Sequence, residues 1–399
     1  MTSPRSPHSA RHAEIGGAGF AGLSAAIALA QRGWSVRVHE KAPNLRPEGF
    51  AIAIQPNGFR VFRALGIHDA AIEGTLPVVS RETRDARGRT TSLQSLGGDV
   101  RMIAREQIVR VMADKARTLG AEILTNSAIV DASPDGCLIG ADGRRFEADL
   151  ALVADGSQSM IAQRLGLVAR KIALRDGAMR TVIAMTEAEQ ASAGDVKGAR
   201  IIENWAGEKR VLYNMFSTER VYVVLTALND DVDATSVPVR TAAWVRAFPH
   251  LAEVFERMAR EADWARVRWD PFTLLRLKRW SSGRLGFLGD AAHAMPPNLG
   301  QGGGCAMMNA LGLAVALESS PSSEVGLEQW EARERPLTDH TQRWSYRYSA
   351  TTFWPERLRS AAFGLTLGVP WLRERYLRTA RHVPTGTEAD PLLPTGETR

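Results

Sequence analysis

The sequence predicts an α/β protein in which a Rossmann-like domain carries an inserted β-sheet domain and is followed by C-terminal helices. Three observations support this fold class. A glycine-rich turn within residues 13–41 joins an apolar strand to an Ala-rich helix and a second strand. Two later apolar strands, at 149–155 and 285–290, each end in an aspartate. Between them, residues 179–228 alternate polar and apolar side chains or are rich in β-branched residues, which is typical of strands.

The composition excludes several classes of protein. The chain has 399 residues, 44% hydrophobic and 24% charged, which is ordinary for a globular protein of one or two domains. Its net charge of +6 is dispersed, so we predict no nucleic-acid partner. No stretch approaches the roughly 20 apolar residues that cross a bilayer, so we predict no membrane partner. Residues 1–11 are basic and rich in Ser and Pro, and we expect a disordered leader rather than a secretion signal.

The cysteines and histidines bear on compartment and metal binding. Cys137 and Cys305 lie far apart and form no CxxC motif, so neither a disulfide framework nor a zinc site is expected. We therefore predict a reducing, cytoplasmic location and no bound metal. His293 has no HxxxH partner, and we interpret it as a structural histidine.

The first glycine cluster matches GxGxxG, and its candidate cofactor-binding residues are Gly17, Gly19, Phe20, Ala21 and Gly22. The first glycine allows a tight turn, the second lets the backbone approach a pyrophosphate, and the third lets helix and strand pack closely. A helix from Leu23 to Gln31, with Gly33 as its C-cap, directs its N-terminal N–H groups at the phosphates. Glu40 follows about 20 residues later, where a carboxylate binds an adenosine ribose. The motif alone does not separate FAD from NAD, and a glycine-rich helix start that binds nothing is the alternative.

The two later strands bring carboxylates to the same edge of the predicted sheet. Asp155-Gly156 follows one apolar strand and Gly289-Asp290 follows the other. Ligands of open α/β sheets bind outside the carboxyl ends of the strands, so both aspartates are candidate cofactor contacts. Taken singly, each aspartate has an alternative interpretation as a helix N-cap.

The segment after Asp290 has the composition of a ring-binding loop. Pro296 and Pro297 fix an extended backbone, because the proline ring restricts its own φ and the residue before it. The glycines that follow allow close approach to a flat ring and open the next helix; they are Gly300, Gly302 and Gly303. The N-terminus of that helix is expected to face the negative charge of a reduced flavin.

Together the three motifs resemble those of the group A flavin monooxygenases, the FAD-dependent aromatic hydroxylases of the p-hydroxybenzoate hydroxylase (GR2) fold. The motifs are GAGFAG with Glu40, the DG pair at Asp155, and GDAAHxxxPxxGQG at 289–302; the resemblance covers roughly residues 12–345. It implies FAD as cofactor, NADH or NADPH as transient cosubstrate, and O2. It also implies hydroxylation of a hydroxylated aromatic acid through a flavin C4a-hydroperoxide, with or without ring opening.

The resemblance assigns further cofactor contacts. Arg105 matches the family arginine that reaches the FAD phosphates and ribityl chain. Arg46 and Gly49 match a loop that contacts the flavin. Val130 matches backbone contacts to adenine, and we place Lys41 in the cofactor set as well.

The chain departs from the family pattern at two places. Ala162 stands where the DG motif usually has an arginine, and Arg164 is displaced from that position by two residues. Asn309 stands where the third motif usually has an aspartate. FAD binding is still expected, whereas the part of the DG loop in handling the nicotinamide becomes doubtful.

We expect the cofactor domain to be discontinuous in sequence. The predicted division is 12–75, 99–172 and 276–345 for the FAD-binding domain, 76–98 and 173–275 for the substrate-binding sheet domain, and 346–399 for C-terminal helices and tail.

Within the family, the strongest resemblance is to the branch that oxygenates hydroxypyridine carboxylic acids, and it implies the substrate-binding residues Arg81, Arg180, Arg210, Tyr222 and Phe272. We assign Arg210, Tyr222 and Pro297 to catalysis. An arginine can hold a carboxylate bidentately, and a tyrosine can bond a ring hydroxyl. Arg81 and Phe272 stand where that branch has tyrosines, which predicts a different substrate with an added acidic group at Arg81.

Several alternatives stay open at this point. The alternative to substrate binding is that Arg210 is solvated on a strand face and that Tyr222 serves only in packing. A benzoate-like, salicylate-like or polycyclic aromatic is the alternative to a hydroxypyridine carboxylic acid. A non-catalytic dinucleotide-binding regulator is the alternative of another class. The predicted partner is a small aromatic acid, and the predicted assembly is a monomer or homodimer.

Overall fold

A computed structural model describes residues 11–45, 50–96, 99–196, 198–215 and 217–389. The strands are, in chain order, β1 (His12–Gly16), β2 (Ser35–His39), β3 (Ala51–Ile54), β4 (Val78–Arg84), β5 (Thr90–Ser95), β6 (Arg101–Ala104), β7 (Glu122–Leu124), β8 (Ile129–Ser133), β9 (Cys137–Gly140), β10 (Arg145–Glu147), β11 (Leu150–Val153), β12 (Val168–Ala184), β13 (Ala199–Ala206), β14 (Lys209–Met215), β15 (Arg220–Leu228), β16 (Trp269–Leu277), β17 (Ser281–Ser282) and β18 (Leu285–Phe287).

The helices follow the same chain order, and short 3-10 turns lie at Pro249–Leu251 and Pro297–Leu299. The α-helices are α1 (Phe20–Ala30), α2 (Pro56–Ala64), α3 (His68–Ile72), α4 (Arg105–Thr118), α5 (Ile161–Arg164), α6 (Glu187–Val196), α7 (Thr241–Val245), α8 (Ala252–Glu261), α9 (Asp290–His293), α10 (Gly302–Glu318), α11 (Ser323–Thr351), α12 (Glu356–Gly368) and α13 (Pro370–Leu377).

A six-stranded sheet has the order β17-β18-β11-β1-β2-β7, and all its pairs are parallel except β17–β18. The strand β11 is buried throughout, as expected for a parallel strand covered on both faces. The register pairs Gly16 with Val153 and Val153 with Phe287. The three loops that follow β1, β11 and β18 therefore leave the sheet side by side.

A seven-stranded sheet has the order β16-β12-β15-β14-β13-β4-β5. Directly opposed residues of neighbouring strands share a face, so the register decides which side chains lie together. Trp205 pairs with Arg210, Asn214 with Tyr222, and Ala178 with Asp270. We call the face defined by this register the site face; its polar and aromatic members are Arg81, Arg180, Glu203, Trp205, Arg210, Tyr222, Asp270 and Phe272.

The opposite face of this sheet is an apolar packing surface. Val211, Val223 and Leu225 are fully buried there, together with Trp244 of α7 and Phe255 of α8. Because side chains alternate along a strand, the residues that neighbour these buried ones in the sequence point to the site face. Helices α7 and α8, which the 3-10 turn at Pro249 separates, cover the back of the sheet.

Some boundaries differ from the sequence-based expectations. Helix α1 begins at Phe20 and ends at Ala30, with Gln31 as its C-cap, so Gly33 lies beyond the cap. Helix α11 is a single 29-residue helix that crosses the expected boundary at 345 and contains Pro336. Strands β12 and β16 also cross expected boundaries, and the domain division remains a prediction. Strands β4 and β5 lie in the seven-stranded sheet.

Two predictions fall largely outside the described residues, namely the leader up to residue 10 and the loop contacts at Arg46 and Gly49. Arg11, at the start of the described chain, lies over Trp34 with 4.3 Å between its guanidinium carbon and the ring centroid. Within the described ranges, no helix is both long and apolar enough to cross a bilayer.

Candidate active site

The glycine turn after β1 has the geometry of a phosphate-binding loop. Gly17 has φ +110°, and a Cβ there would lie 2.3 Å from the Ala154 carbonyl oxygen. A Cβ on Gly22 would lie 1.9 Å from the carbonyl oxygen of Gly17. A Cβ on Gly19 would meet no atom within 4 Å, and helix α1 begins directly after it without a side-chain cap. Open space therefore lies in front of a helix N-terminus, as a pyrophosphate requires.

Glu40 is held beside this turn by backbone donors. Its Oε2 accepts a hydrogen bond from the Ala18 N–H at 3.1 Å, and its Oε1 accepts from the Ala42 N–H at 2.9 Å. The carboxylate thus lies next to the phosphate loop, the position expected for a ribose contact. Val130 is exposed, and its carbonyl accepts a hydrogen bond from Arg164 Nη1 at 2.6 Å.

The third motif lies against the first. Gly289 has φ +60°, and a Cβ there would lie 2.9 Å from the Ala21 Cβ. A Cβ on Gly303 would lie 3.5 Å from the Phe20 ring. Arg105 lies over the same ring, with 5.0 Å between its guanidinium carbon and the ring centroid. The N-termini of α1, α4 and α10 therefore converge on one cleft.

Both candidate aspartates line this cleft. Burial raises the pKa of Asp155, whose Oδ1 is buried without a hydrogen-bond partner in the described chain. Gly156 beside it has φ +90° and open space where a Cβ would lie. Asp290 is exposed at the start of α9. Desolvation by the surrounding protein raises the pKa of its carboxyl, and the positive charge of Arg105 opposes this shift. An unpartnered carboxylate oxygen and open glycines fit a bound FAD, whose hydroxyl groups are donors.

The loop before α10 is shaped by its prolines and glycines. Pro297 is exposed at the start of the 3-10 turn, and Gly300 ends that turn in the left-handed region at φ +63°. Gln55 Nε2 donates to the Leu299 carbonyl at 3.0 Å and fixes the loop to β3. Helix α10 begins at Gly302 without a side-chain cap, so its first N–H groups are available to an anionic ring edge.

One cluster on the site face combines an ion pair with two aromatic side chains. Arg180 Nη1 donates to Asp270 Oδ2 at 3.1 Å and lies over Phe272, 5.9 Å from the ring centroid. Tyr222 is buried beside them, and burial raises the pKa of its hydroxyl while Arg180 and Arg105 oppose the shift. Tyr222 is therefore protonated at neutral pH and can donate a hydrogen bond.

A second cluster on the site face contains Arg81 and Arg210. Arg81 Nη2 donates to Glu203 Oε1 at 2.6 Å and lies 3.4 Å from the Tyr348 hydroxyl of α11. Arg210 is buried, lies 5.1 Å from the Trp205 ring centroid, and donates from Nη2 to Asn298 Oδ1 at 3.2 Å. Arg210 is thus enclosed by protein rather than solvated on a strand face.

His293 belongs to the core of the third motif. Burial lowers its pKa to about 4, so the ring is neutral near pH 7. Its Nε2 lies 3.0 Å from Asn309 Nδ2, and its ring centroid lies 5.2 Å from that of Trp280. Since the Asn309 amide also bonds Thr338, this asparagine links α9, α10 and α11.

The structure brings the sequence-predicted residues into two neighbouring groups. Contacts join the glycine turn, Glu40, Arg105 and Gly289 around one cleft, and Tyr222 of the seven-stranded sheet interacts electrostatically with Arg105. The assignments of Lys41 and Val130 to the cofactor remain predictions. Sequence reasoning missed Glu203, Asp270, Asn298 and Tyr348. Asn298 could have been found, because it lies within the third motif between Pro297 and Gly300. No motif marks Glu203, Asp270 or Tyr348.

The comparisons with known proteins agree with this geometry. The family described as FAD binding domain matches residues 12–345. A 2-heptyl-3-hydroxy-4(1H)-quinolone synthase of Mycobacteroides abscessus is 38% identical over 363 residues, covering 89% of this chain and 94% of the relative. A 6-hydroxynicotinate 3-monooxygenase of Pseudomonas fluorescens is 26% identical over 355 residues, covering 83% and 89%. The solved tetrameric form of 2-methyl-3-hydroxypyridine-5-carboxylic acid oxygenase matches with a TM-score of 0.83 and 34% identity, covering 94% and 97%.

The fold and the cleft thus define a flavin-dependent aromatic monooxygenase, an α/β protein of the p-hydroxybenzoate hydroxylase type. The chain belongs to the FAD binding domain family, and its cofactor is FAD. NAD(P)H and O2 are the cosubstrates typical of this class. The resemblance drawn from the motifs is confirmed.

Proposed function

We propose that this enzyme hydroxylates an uncharged nitrogen-heteroaromatic ring of the 4-quinolone type that carries an alkyl chain. The observation that supports this substrate is the charge balance of the site face. Arg81 is paired with Glu203, and Arg180 is paired with Asp270. An arginine already held by a carboxylate of the chain has little to gain from a carboxylate on the ligand.

The expected acidic group at Arg81 is therefore no longer needed to account for this residue. Glu203 is buried, and although burial raises its pKa, the charges of Arg81 and Arg210 outweigh burial and lower it. The carboxylate is thus ionised at neutral pH and neutralises Arg81 within the protein.

Apolar side chains adjoin Tyr222 and suit the proposed alkyl chain. The residues of this buried cluster are Ala51, Val78, Met102, Ala178, Ala199, Val224 and Phe272. Ala51 and Met102 come from β3 and β6, and the others come from the seven-stranded sheet. Burial of a heptyl chain among them removes apolar surface from water at about 0.8 kcal/mol per methylene. The product for which the Mycobacteroides abscessus relative is named, 2-heptyl-3-hydroxy-4(1H)-quinolone, carries such a chain.

The chain's own residues prepare the ring for oxygen transfer. Tyr222 donates a hydrogen bond to a ring oxygen, and Phe272 provides a flat wall near Arg180. The buried site face excludes water from the reacting carbon. Bound FAD, once reduced by NAD(P)H, supplies the activation of O2. In balance, the ring C–H, O2, NAD(P)H and a proton give the ring C–OH, water and NAD(P)+.

A hydroxypyridine carboxylic acid is the second candidate, and one observation favours it. Arg210 Nε is buried without a hydrogen-bond partner in the described chain, and no carboxylate lies within ion-pair distance of its guanidinium there. This N–H can donate a hydrogen bond to one ligand oxygen. It is the one cation of the predicted set that is available to a substrate carboxylate.

A substrate panel tests the proposal. Purified holoenzyme is supplied with NADH or NADPH and with 2-heptyl-4(1H)-quinolone, hydroxypyridine carboxylic acids or salicylate. We expect the quinolone to stimulate nucleotide oxidation and to gain one oxygen atom by product mass. Stimulation by the pyridine acids alone would favour the second candidate, and a product that gains two oxygens with ring opening would show the pyridine-type outcome. A yellow protein that oxidises no nucleotide with any of them would indicate a non-catalytic role.

A further inference from the structure

Asn298 lies at the meeting point of the cofactor loop and the site face. It is the middle residue of the 3-10 turn Pro297–Leu299, and Gly300 ends that turn. Its Oδ1 accepts the hydrogen bond from Arg210 Nη2 at 3.2 Å, and both side chains are buried. This contact joins the loop before α10 to strand β14 of the other sheet.

The hydrogen bond fixes the orientation of the Asn298 amide. An arginine has donors and no acceptor, so the oxygen of the amide must face Arg210. The NH2 group therefore has no partner in Arg210, and Asn298 Nδ2 is buried with no acceptor in the described ranges. Arg210 Nε is also buried without an acceptor in the described ranges. Buried donors are nearly always satisfied, so two unsatisfied donors on side chains that are hydrogen-bonded to each other point to a ligand acceptor at this place.

Arg210 is held in place from a third direction. Its guanidinium carbon lies 5.1 Å from the Trp205 ring centroid, and that of Arg359 on α12 lies 4.3 Å from the same centroid. Arg359 Nη1 donates to the Gly207 carbonyl at 3.3 Å. The donor pair is therefore supported by β13, β14 and α12, which limits its freedom to collapse onto itself when no ligand is bound.

We propose that Asn298 Nδ2 and Arg210 Nε form the subsite that binds the exocyclic ring oxygen of the substrate, and that Asn298 is a substrate-binding residue. The inference rests on the proposed function, since it requires a ring with an oxo or hydroxyl group. A carbonyl or phenolate oxygen has two lone pairs and can accept from both donors. Donors of this kind also stabilise the negative charge that develops on this oxygen as the ring carbon attacks, so the ring can bind in its uncharged form.

The variant Asn298→Asp separates this role from a structural one. Aspartate has the same shape and still accepts from Arg210, more strongly because it is charged, but it cannot donate to a ligand. If Asn298 serves only to orient Arg210, Asn298→Asp retains wild-type ligand affinity. If it binds the ring oxygen, the affinity falls at least tenfold, because an acceptor then faces an acceptor. Absorbance of bound FAD reports whether each variant is correctly loaded.

Two ligands complete the test. Binding of 2-heptyl-4(1H)-quinolone and of 2-heptylquinoline, which lacks the ring oxygen, is measured by flavin fluorescence on wild-type holoenzyme and on Asn298→Asp. We expect a tenfold or greater loss for the quinolone and less than a twofold change for the quinoline. Equal loss for both ligands, or no loss for the quinolone, overturns the inference. If the wild type binds a hydroxypyridine carboxylic acid and not the quinolone, the same comparison uses 3-hydroxypyridine and pyridine.

The two proposals fail in different ways. A wild type that binds none of these oxygen-bearing rings overturns the proposed function and this inference together. A wild type that hydroxylates one of them while Asn298→Asp does so with unchanged KM overturns the inference alone.

Discussion

Gly289 lies directly against Ala21, with 2.9 Å between the Ala21 Cβ and the place where a Gly289 Cβ would be. The contact joins the segment that carries Asp290 to the first turn of α1, although the two lie far apart in the sequence. Position 289 requires glycine for two reasons: a Cβ would lie too close to Ala21, and φ is +60°. This approach allows two motifs to hold one cofactor.

The first prediction concerns this contact. Gly289→Ala combines backbone strain with a clash and should lower FAD affinity by tenfold or more. The control is Gly33→Ala, which has φ +78° but open space around its Cβ. Both positions have a positive φ, which strains a residue other than glycine by about 1 kcal/mol or more, but only at Gly289 does the added Cβ also meet another segment of the cofactor site. FAD titration of the apoproteins measures the difference, and equal affinities would contradict the cleft geometry.

The second prediction isolates the phosphate approach. Gly19 has an ordinary φ of −82° and no neighbour for a Cβ, so Gly19→Ala should change the unfolding free energy of the apoprotein by less than about 1 kcal/mol. Its methyl group would occupy the space in front of the α1 N-terminus. We therefore expect FAD affinity to fall about tenfold or more, measured by titration. Unchanged affinity would place the phosphates elsewhere.

The third prediction concerns the buried ion pair of the site face. Glu203→Gln leaves Arg81 without its carboxylate and should lower the unfolding free energy by about 3–5 kcal/mol. The control Glu122→Gln breaks a more exposed pair with Arg37 and should cost under about 1 kcal/mol. The folded protein lowers the pKa of Glu203. Its contribution to the free energy of unfolding is therefore complete above the ordinary carboxyl pKa and is lost as pH falls through the lowered value. Denaturant midpoints at several pH values test both statements.

The fourth prediction concerns His293, whose pKa is lowered from 6.5 to about 4 by burial. The unfolded chain binds a proton below pH 6.5, whereas the folded chain does so only near pH 4. Stability should therefore be complete above pH 6.5 and fall by about 3 kcal/mol as pH drops to 4. His293→Gln should remove this part of the pH slope in denaturation experiments. An unchanged pH slope in His293→Gln would contradict this assignment.

The fifth prediction uses two tyrosines on opposite faces of one sheet. Tyr222→Phe removes the proposed donor and should lower kcat/KM about tenfold, since one hydrogen bond to substrate is worth about 1 kcal/mol or more. Tyr213 lies on the back face, bonded to Glu189, and Tyr213→Phe should lower stability with no change in kcat/KM. FAD content should stay at the wild-type level in both variants. A catalytic loss in Tyr213→Phe as large as in Tyr222→Phe would remove the distinction between the faces.

The cofactor motifs could be predicted because each is a local property. Gly17 must be glycine for its positive φ, and it precedes a helix that the Ala-rich sequence specifies on its own. Asp155 and Asp290 each follow an apolar strand, and parallel strands bring such ends to one edge. The boundaries were less predictable. Helix α1 starts three residues before Leu23 because a helix N-terminus without a side-chain cap leaves no signal in the sequence.

The sequence by itself determined the nucleotide-binding turn, the strand–carboxylate order and the presence of a second, β-rich region, since these depend on residues close together in the chain. Only the tertiary structure decided that Glu203 neutralises Arg81, that Asn298 meets Arg210, and that Tyr348 of α11 reaches the same face. Those contacts depend on the register of seven strands and on the placement of a C-terminal helix. A one-residue shift in register of its strand would move Arg81, Glu203 or Arg210 to the opposite face, and no local pattern specifies that choice.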